Sequence, residues 1–275
     1  MDHVEVIARE GALLVEAVRR SDPDTPVPAC GVWTVRELAG HVGQVHRWAT
    51  TVVRTGQAVD DDAAVPADAG LVPWLEEGLR DLCAALSSDP DRPCWTFTGP
   101  ATVRWWQRRQ ALETLVHRVD AERAAGAVSP VDAGLAADGV AEVAEVLHPR
   151  QVRLGRCAPP SARVELTASD TGTSAVLPGP EPAVTVHGRA ELLLLLLWRR
   201  TTPHDPGLRV RGDRRLLEAV LAGPSRREVV PAQGPSVLCR SMSVVRSRAS
   251  PGGRSGSATR ASRSRTASRV RAPTG

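Results

Sequence analysis

Apolar residues recur at three- and four-residue steps in four stretches of the N-terminal half of the chain. This spacing places one apolar stripe along a helix, so each stretch predicts an amphipathic α-helix. Thr34 and Glu37 form a capping-box pattern at the start of the second helix, and Gly56 and Gly126 follow the second and fourth. Four helices of this kind predict a four-helix bundle, whose interior is a usual place for metal sites. They are expected over residues 3–20, 34–56, 71–86 and 102–125.

The pattern changes after Pro130, where short alternating runs typical of strands are mixed with helical stretches. The runs ARVELTAS, AVTVHG and LRVRG predict strands, and helices are expected at about 135–149, at about 189–200 and up to Gly223. The fold class is therefore predicted to be α+β. Three parts are expected: a metal-binding four-helix bundle over 1–128, a small α+β domain over 131–223 and a disordered Arg/Ser-rich tail over 224–275.

Charge is distributed unevenly along the chain. The formal net charge is +4, and all 35 basic residues are arginine. Eleven arginines and a single acidic residue lie after Gly223, which leaves 24 arginines against 30 acidic residues in the preceding part. A basic tail attracts phosphates, but no aromatic residue is interleaved in it for base stacking, and the rest of the chain is acidic. Nucleic-acid binding is therefore disfavoured, although it stays open as one alternative.

The cysteines and the N-terminus indicate the compartment. The number of cysteines is odd and they form no CxxC pair, which argues against a disulfide framework. The N-terminus lacks a basic segment followed by an apolar one, and the leucine run 192–197 is far shorter than the roughly 18 residues of a membrane span. We therefore expect a cytoplasmic protein with no membrane contact. The five cysteines are Cys30, Cys83, Cys94, Cys157 and Cys239. The first three lie in the predicted bundle and are expected to be inert apolar side chains.

The fourth helix carries polar residues at the spacing of a metal site. Glu113 lies four residues before His117, so the two side chains share one face of the helix. The same spacing also fits a surface pair or a hydrogen-bonded histidine at a helix interface, and short motifs often occur by chance. A catalytic divalent metal needs a third protein ligand, and two histidines with one glutamate is a known zinc set. Asp120 shares the face and is expected either to orient a ligand histidine or to pair with Arg123 on the exterior.

The second helix offers two histidines as a third ligand. His41 lies on the apolar face of this helix, whereas His46 is placed nearer the polar face. A histidine on an apolar face is often a hydrogen-bonded core residue. Here the facing helix supplies a glutamate and a histidine at the correct step, so a role as ligand is equally well supported. His41 is therefore the candidate third ligand.

Four segments, in this order, resemble the mycothiol-dependent maleylpyruvate isomerase family: VPACGVWTVRELAGHVGQVHRW, WTFTGPATVRWWQRRQALETLVHRVDAERAAG, VHGRAELLLLLLWRR and LRVRGDRRLLEAVL. The resemblance covers nearly all of residues 3–223. The N-terminal half resembles DinB-like metal-binding four-helix bundles. The C-terminal half resembles the small α+β domain that accompanies this bundle in the family.

The resemblance implies a metal centre and a class of reaction. The family's metal ligands fall on His41, Glu113 and His117, and a family arginine that reaches the substrate site falls on Arg200. The family glycine before this arginine is Arg199 here. A divalent metal, with zinc favoured, and mycothiol are the implied cofactors, since a metal-bound thiol is deprotonated. The implied activity is that of an isomerase or a thiol S-transferase acting on a small molecule.

A different class of function also fits the sequence. A non-catalytic metal-binding or regulatory bundle would bind the metal, but a thiol would not change its coordination. The fold alone does not choose between these functions, because one scaffold hosts several activities.

Overall fold

The computed structural model describes residues 1–60 and 63–222, which belong to one compact unit. The tail that the sequence predicts over 224–275 lies outside the described residues. The four predicted bundle helices are present, with boundaries close to those expected from the pattern. They are α1 (His3–Arg20), α2 (Val35–Thr55), α3 (Asp68–Leu86) and α4 (Val103–Ala124).

The four helices pack as a closed bundle. Helix α1 contacts α3 and α4, and α2 contacts the same two helices from the other side. At the start of α2 the Thr34 N–H donates to Glu37 Oε2 at 2.7 Å in a capping box, and Gly56 ends the helix in the left-handed conformation, with φ 72°. The predicted capping residues of α2 are therefore confirmed. Helices α2 and α4 also contact each other inside the bundle.

A short hairpin connects α3 to α4. Its strands are β1 (Pro93–Thr96) and β2 (Gly99–Thr102), which pair in antiparallel register with Trp95 opposite Pro100. The sequence analysis predicts only turns here, because each four-residue strand contains a proline and shows no clear alternation. The hairpin delivers the chain directly into α4.

The C-terminal part is a mixed sheet with helices, as predicted. A π-helical turn (Val143–Leu147) joins its first two helices. One strand of the four in the sheet, β4, is not predicted, because its sequence SAVL lacks alternation of polar and apolar residues. The elements are α5 (Ala133–Glu142), α6 (His148–Arg153), β3 (Val164–Ala168), β4 (Ser174–Leu177), β5 (Val184–Gly188), α7 (Ala190–Leu197), β6 (Arg209–Arg211) and α8 (Arg214–Ala222).

The sheet has the order β4–β3–β5–β6, with β3 and β5 parallel and the outer strands antiparallel to their neighbours. Helices α5 and α7 pack against each other, and α5 also contacts α4 of the bundle. Gly139 permits this close approach. A Cβ atom at this position would lie 2.8 Å from Leu194 Cδ1 of α7 and 3.2 Å from Leu112 Cδ2 of α4. The C-terminal end of α5 is thereby held against the bundle.

In the part of the chain that the structure describes, no helix is long and apolar enough to cross a membrane.

Candidate metal centre

Three side chains of ligand type meet inside the bundle. His41 comes from α2, and Glu113 and His117 lie one turn apart on α4. Their ligand atoms all lie within 4.8 Å of one another, and all three residues are buried. The structure thus brings together the set that the sequence analysis singles out. The alternative of a surface pair for Glu113 and His117 is wrong.

The His41 imidazole has the properties of a ligand. Its Nε2 atom is buried, makes no hydrogen bond to any described residue and lies 3.6 Å from Glu113 Oε1. The Trp33 ring packs beside it at a centroid distance of 5.0 Å. Burial lowers the pKa of His41, so the imidazole is neutral and its lone pair is available. A buried nitrogen without a partner is costly unless something binds it, so the site fits a cation.

His117 is held from both sides by carboxylates. Its Nε2 lies 3.2 Å from Glu113 Oε1, and its Nδ1 lies 3.1 Å from Asp120 Oδ2. Burial alone would lower the pKa of His117, but hydrogen bonds with Asp120 and Glu113 outweigh it and raise the pKa to about 9. Of the two alternatives for Asp120, the one that orients a histidine is correct. Arg123 instead donates to the Arg200 carbonyl at 2.7 Å.

The raised pKa of His117 predicts a pH-dependent stability for chelator-treated protein. The pKa rises from its ordinary 6.5 to about 9, so this contribution is complete below pH 6.5 and is lost as the pH rises through 9. We expect the melting temperature of the parent to fall by roughly 7–14 °C more than that of His117→Ala between these pH values. Calorimetry on both proteins measures this. Parallel pH profiles for the two proteins would contradict it.

Glu113 is fixed by a buried arginine that the sequence analysis does not single out. Arg109, one turn before it on α4, donates from Nη2 to Glu113 Oε2 and from Nη1 to Glu142 Oε2. Burial by itself raises the pKa of Glu113, but the Arg109 charge and the His117 hydrogen bond outweigh it and hold the pKa well below its usual range. Glu113 is therefore an ionised carboxylate, the form in which it binds a metal.

Arg200 lies on the far side of Asp120. Its Nε and Nη2 atoms donate to the two Asp120 oxygens at 3.0 and 2.5 Å, and its Nη1 donates to the Trp198 carbonyl at 2.7 Å. Arg200 thus reaches the centre through the carboxylate that orients His117. A cavity of about 190 Å³ opens here and is lined by Pro28, Ala29, Asp120, Arg123, Arg199 and Arg200.

Arg199, the residue before Arg200, has an unusual backbone conformation. Arg199 has φ 59°, the left-handed conformation that favours glycine. The sequence resemblance implies a glycine at this position, and Arg199 adopts a backbone conformation that favours glycine. Arg199 Nη1 donates to the Ala222 carbonyl at 2.7 Å. Arg200, the next residue, is directed at Asp120.

The expectation about His46 is wrong, and Cys30 lies closer to the site than the sequence indicates. His46 is not on a polar face: it is 1% exposed, and its Nε2 lies 3.3 Å from Thr114 Oγ1 of α4, because α2 is packed by both α3 and α4. Burial lowers its pKa to about 3. Cys30, expected to be an inert apolar side chain, lies next to the site, with its Sγ 3.5 Å from Asp120 Oδ2. Burial and the Asp120 charge raise its pKa to about 12, so the thiol stays protonated.

The fold and the site define a class of protein: a four-helix bundle joined to a small α+β part, with a buried His–Glu–His cluster suited to a divalent metal. Two family models match the chain, the mycothiol maleylpyruvate isomerase N-terminal domain over residues 4–122 and the C-terminal domain of the same family over residues 134–219. The chain belongs to the mycothiol maleylpyruvate isomerase family.

Two solved structures are similar. The crystal structure of the mycothiol-dependent maleylpyruvate isomerase shares 14% sequence identity at a TM-score of 0.60, covering 76% of this chain and 91% of the other. A histidine-to-alanine mutant of the mycothiol-dependent maleylpyruvate isomerase gives 13% identity and a TM-score of 0.57 with the same coverage. Identity this low shows the shared fold alone. No curated protein sequence matched the chain.

Proposed function

We propose that this protein is a metal-dependent enzyme that uses mycothiol as its nucleophile. The observation that carries the proposal is the buried set of His41, Glu113 and His117, in which one imidazole nitrogen makes no hydrogen bond to any residue that the structure describes. Two imidazoles and one carboxylate leave a position open on a tetrahedral metal, as in catalytic zinc sites. Membership of the family supports a thiol as the partner for this position.

Each ligand has a defined contribution. His41 and His117 would present Nε2 atoms and Glu113 its Oε1 atom, because Arg109 occupies the other carboxylate oxygen. Asp120 accepts from His117 Nδ1 and so keeps Nε2 directed into the site. When bound, a divalent cation supplies a Lewis acid that holds and deprotonates a thiol. In this proposal all three side chains act as ligands rather than as proton donors.

The adjacent cavity supports a small anionic substrate. Arg123 and Arg200 line it, and we infer that the Arg200 guanidinium anchors a substrate carboxylate. A thiolate attacks an activated double bond by forming a C–S bond as the π pair moves onto the conjugated carbonyl. Rotation and expulsion of the thiolate by the reverse movement give cis–trans isomerisation, whereas retention of the sulfur gives S-transfer. We propose isomerisation, with maleylpyruvate as the test substrate, because both similar structures are named mycothiol-dependent maleylpyruvate isomerase.

Cobalt substitution tests the proposal. Protein loaded with Co²⁺ should gain a sulfur-to-metal charge-transfer band on addition of mycothiol, because a thiolate donates charge where water does not. The band should be absent in His41→Ala. Cys30→Ser is the matched control, since the protein's own nearby sulfur would otherwise be a second source of the band.

An unchanged spectrum at saturating mycothiol, with cobalt bound in stoichiometric amount, would contradict the thiol-dependent proposal. The non-catalytic metal-binding bundle would then be the better account. A band that vanishes in Cys30→Ser would show that the sulfur of Cys30, rather than that of mycothiol, binds the metal. This result would count against the proposal equally.

A further inference from the structure

Glu142 lies outside the helical bundle in sequence but reaches into its interior. It is the last residue of α5 and directly precedes the π-helical turn Val143–Leu147. Its carboxylate is 3% exposed and contacts Arg109 of α4. Turns of this kind are frequent at functional sites, because one extra residue changes the direction of the side chains around it. The C-terminal part therefore places one carboxylate beside the candidate metal centre.

Arg109 connects this carboxylate to a metal ligand. One terminal nitrogen donates to Glu142 Oε2, and the other donates to Glu113 Oε2. Glu113 is thus held by its Oε2 atom, while its Oε1 atom faces His117 Nε2 at 3.2 Å and His41 Nε2 at 3.6 Å. The planar guanidinium fixes the rotation of the Glu113 carboxylate and directs a single oxygen at the centre.

Charge gives Glu142 a second effect. Arg109 is 2% exposed and lies one helical turn from the site, where its positive charge repels a divalent cation with little solvent screening. Burial raises the pKa of Glu142 to about 7 despite the neighbouring Arg109 charge, so above this pH its carboxylate is ionised and compensates for that repulsion. Without the Glu142 carboxylate, the Arg109 charge would act on Glu113 alone. It would draw electron density from Glu113 Oε1 and make this atom a weaker metal ligand.

We propose that Glu142 and Arg109 are positioning residues, through which the C-terminal α+β part sets the metal affinity and coordination geometry of the bundle. This inference rests on the proposed metal centre. The inference gives the C-terminal part a role in metal binding, even though that part contributes no ligand to the set of His41, Glu113 and His117.

A matched control lies between the same two helices, because Arg108 directly precedes Arg109 on α4 and Asp138 lies one turn before Glu142 on α5. Arg108 of α4 donates from Nε to the Asp138 carboxylate of α5 at 3.0 and 3.1 Å. This ion pair also joins the bundle to the C-terminal part, but among the described residues neither side chain forms a hydrogen bond or an ion pair with Glu113. Removal of this ion pair therefore measures the loss of an α4–α5 contact while the Arg109 contact with the candidate ligand Glu113 is kept.

The test compares Glu142→Gln with Asp138→Asn in the full chain. Competition titration with Zn²⁺ should show at least about tenfold weaker binding for Glu142→Gln, since residues behind metal ligands are typically worth ten- to a hundredfold. The visible ligand-field bands of the Co²⁺ form should also change, because they report coordination geometry. Asp138→Asn should match the parent in both measurements. If Glu142→Gln fails to fold, Arg109→Lys, which keeps the charge but cannot span both carboxylates, should show the same losses.

Equal zinc affinities and cobalt spectra for Glu142→Gln and Asp138→Asn would overturn the inference, whether both resemble the parent or both are weakened. Failure of the parent itself to bind Zn²⁺ or Co²⁺ would instead overturn the metal centre on which the inference rests. The two failures are therefore distinguishable in one set of titrations.

Discussion

His41→Ala is expected to lose stoichiometric metal and nearly all activity while the helices remain formed. The Nε2 atom of His41 makes no hydrogen bond to the described residues, so its removal leaves no other buried group unpaired. With two ligands left, the site no longer holds a divalent cation in a defined geometry. Several kcal/mol of charge stabilisation by a metal corresponds to roughly a thousandfold or more in rate. Metal analysis and the isomerisation of maleylpyruvate with mycothiol measure both effects.

His46→Ala provides the control for this substitution. It removes a buried histidine from the same helix, and His46 Nε2 contacts Thr114 rather than the ligand set. We expect this variant to keep its metal and to lose stability only through the cavity and the lost hydrogen bond. If His41→Ala retained stoichiometric metal while His46→Ala lost it, the assignment of the third ligand would be wrong.

The sequence predicted the helices of the bundle because their apolar periodicity and their caps are local properties. Thr34, Glu37 and Gly56 occupy the roles expected of them. The hairpin Pro93–Thr102 and the strand β4 were missed, since their four-residue strands show no clear alternation and depend on packing in the fold more than on their own composition. The division into separate domains at 1–128 and 131–223 stays a prediction.

The α4 half of the candidate site could also be predicted, because residues four apart on a helix share a face. Glu113 and His117 follow that rule, and Arg109 continues the same row toward the N-terminus. The partner of Arg109 could not be predicted, since no local pattern connects it to Glu142, 33 residues later. The burial of His46 was missed for a related reason: which faces of α2 are covered depends on how α3 and α4 pack.

Arg200→Met is expected to destabilise the protein by about 3–5 kcal/mol, the usual cost of leaving one member of a buried ion pair alone. Asp120 is fully buried, and Arg200 donates to both of its oxygens. Combining Arg200→Met with Asp120→Asn should restore most of this stability, because an amide carries no charge yet can still accept from His117 Nδ1. Thermal unfolding of the parent, the single variants and the double variant measures this coupling.

The same double variant separates the structural role of Arg200 from its proposed role at the substrate. If Arg200 anchors a substrate carboxylate, restored folding and metal content should not restore catalysis. We expect kcat/KM for maleylpyruvate to remain roughly ten- to a hundredfold below that of Asp120→Asn, because a charge-assisted hydrogen bond is worth about 1.5–3 kcal/mol. A value of kcat/KM equal to that of Asp120→Asn would show that Arg200 acts only by holding Asp120, and the cavity beside it would then need another residue to bind the substrate.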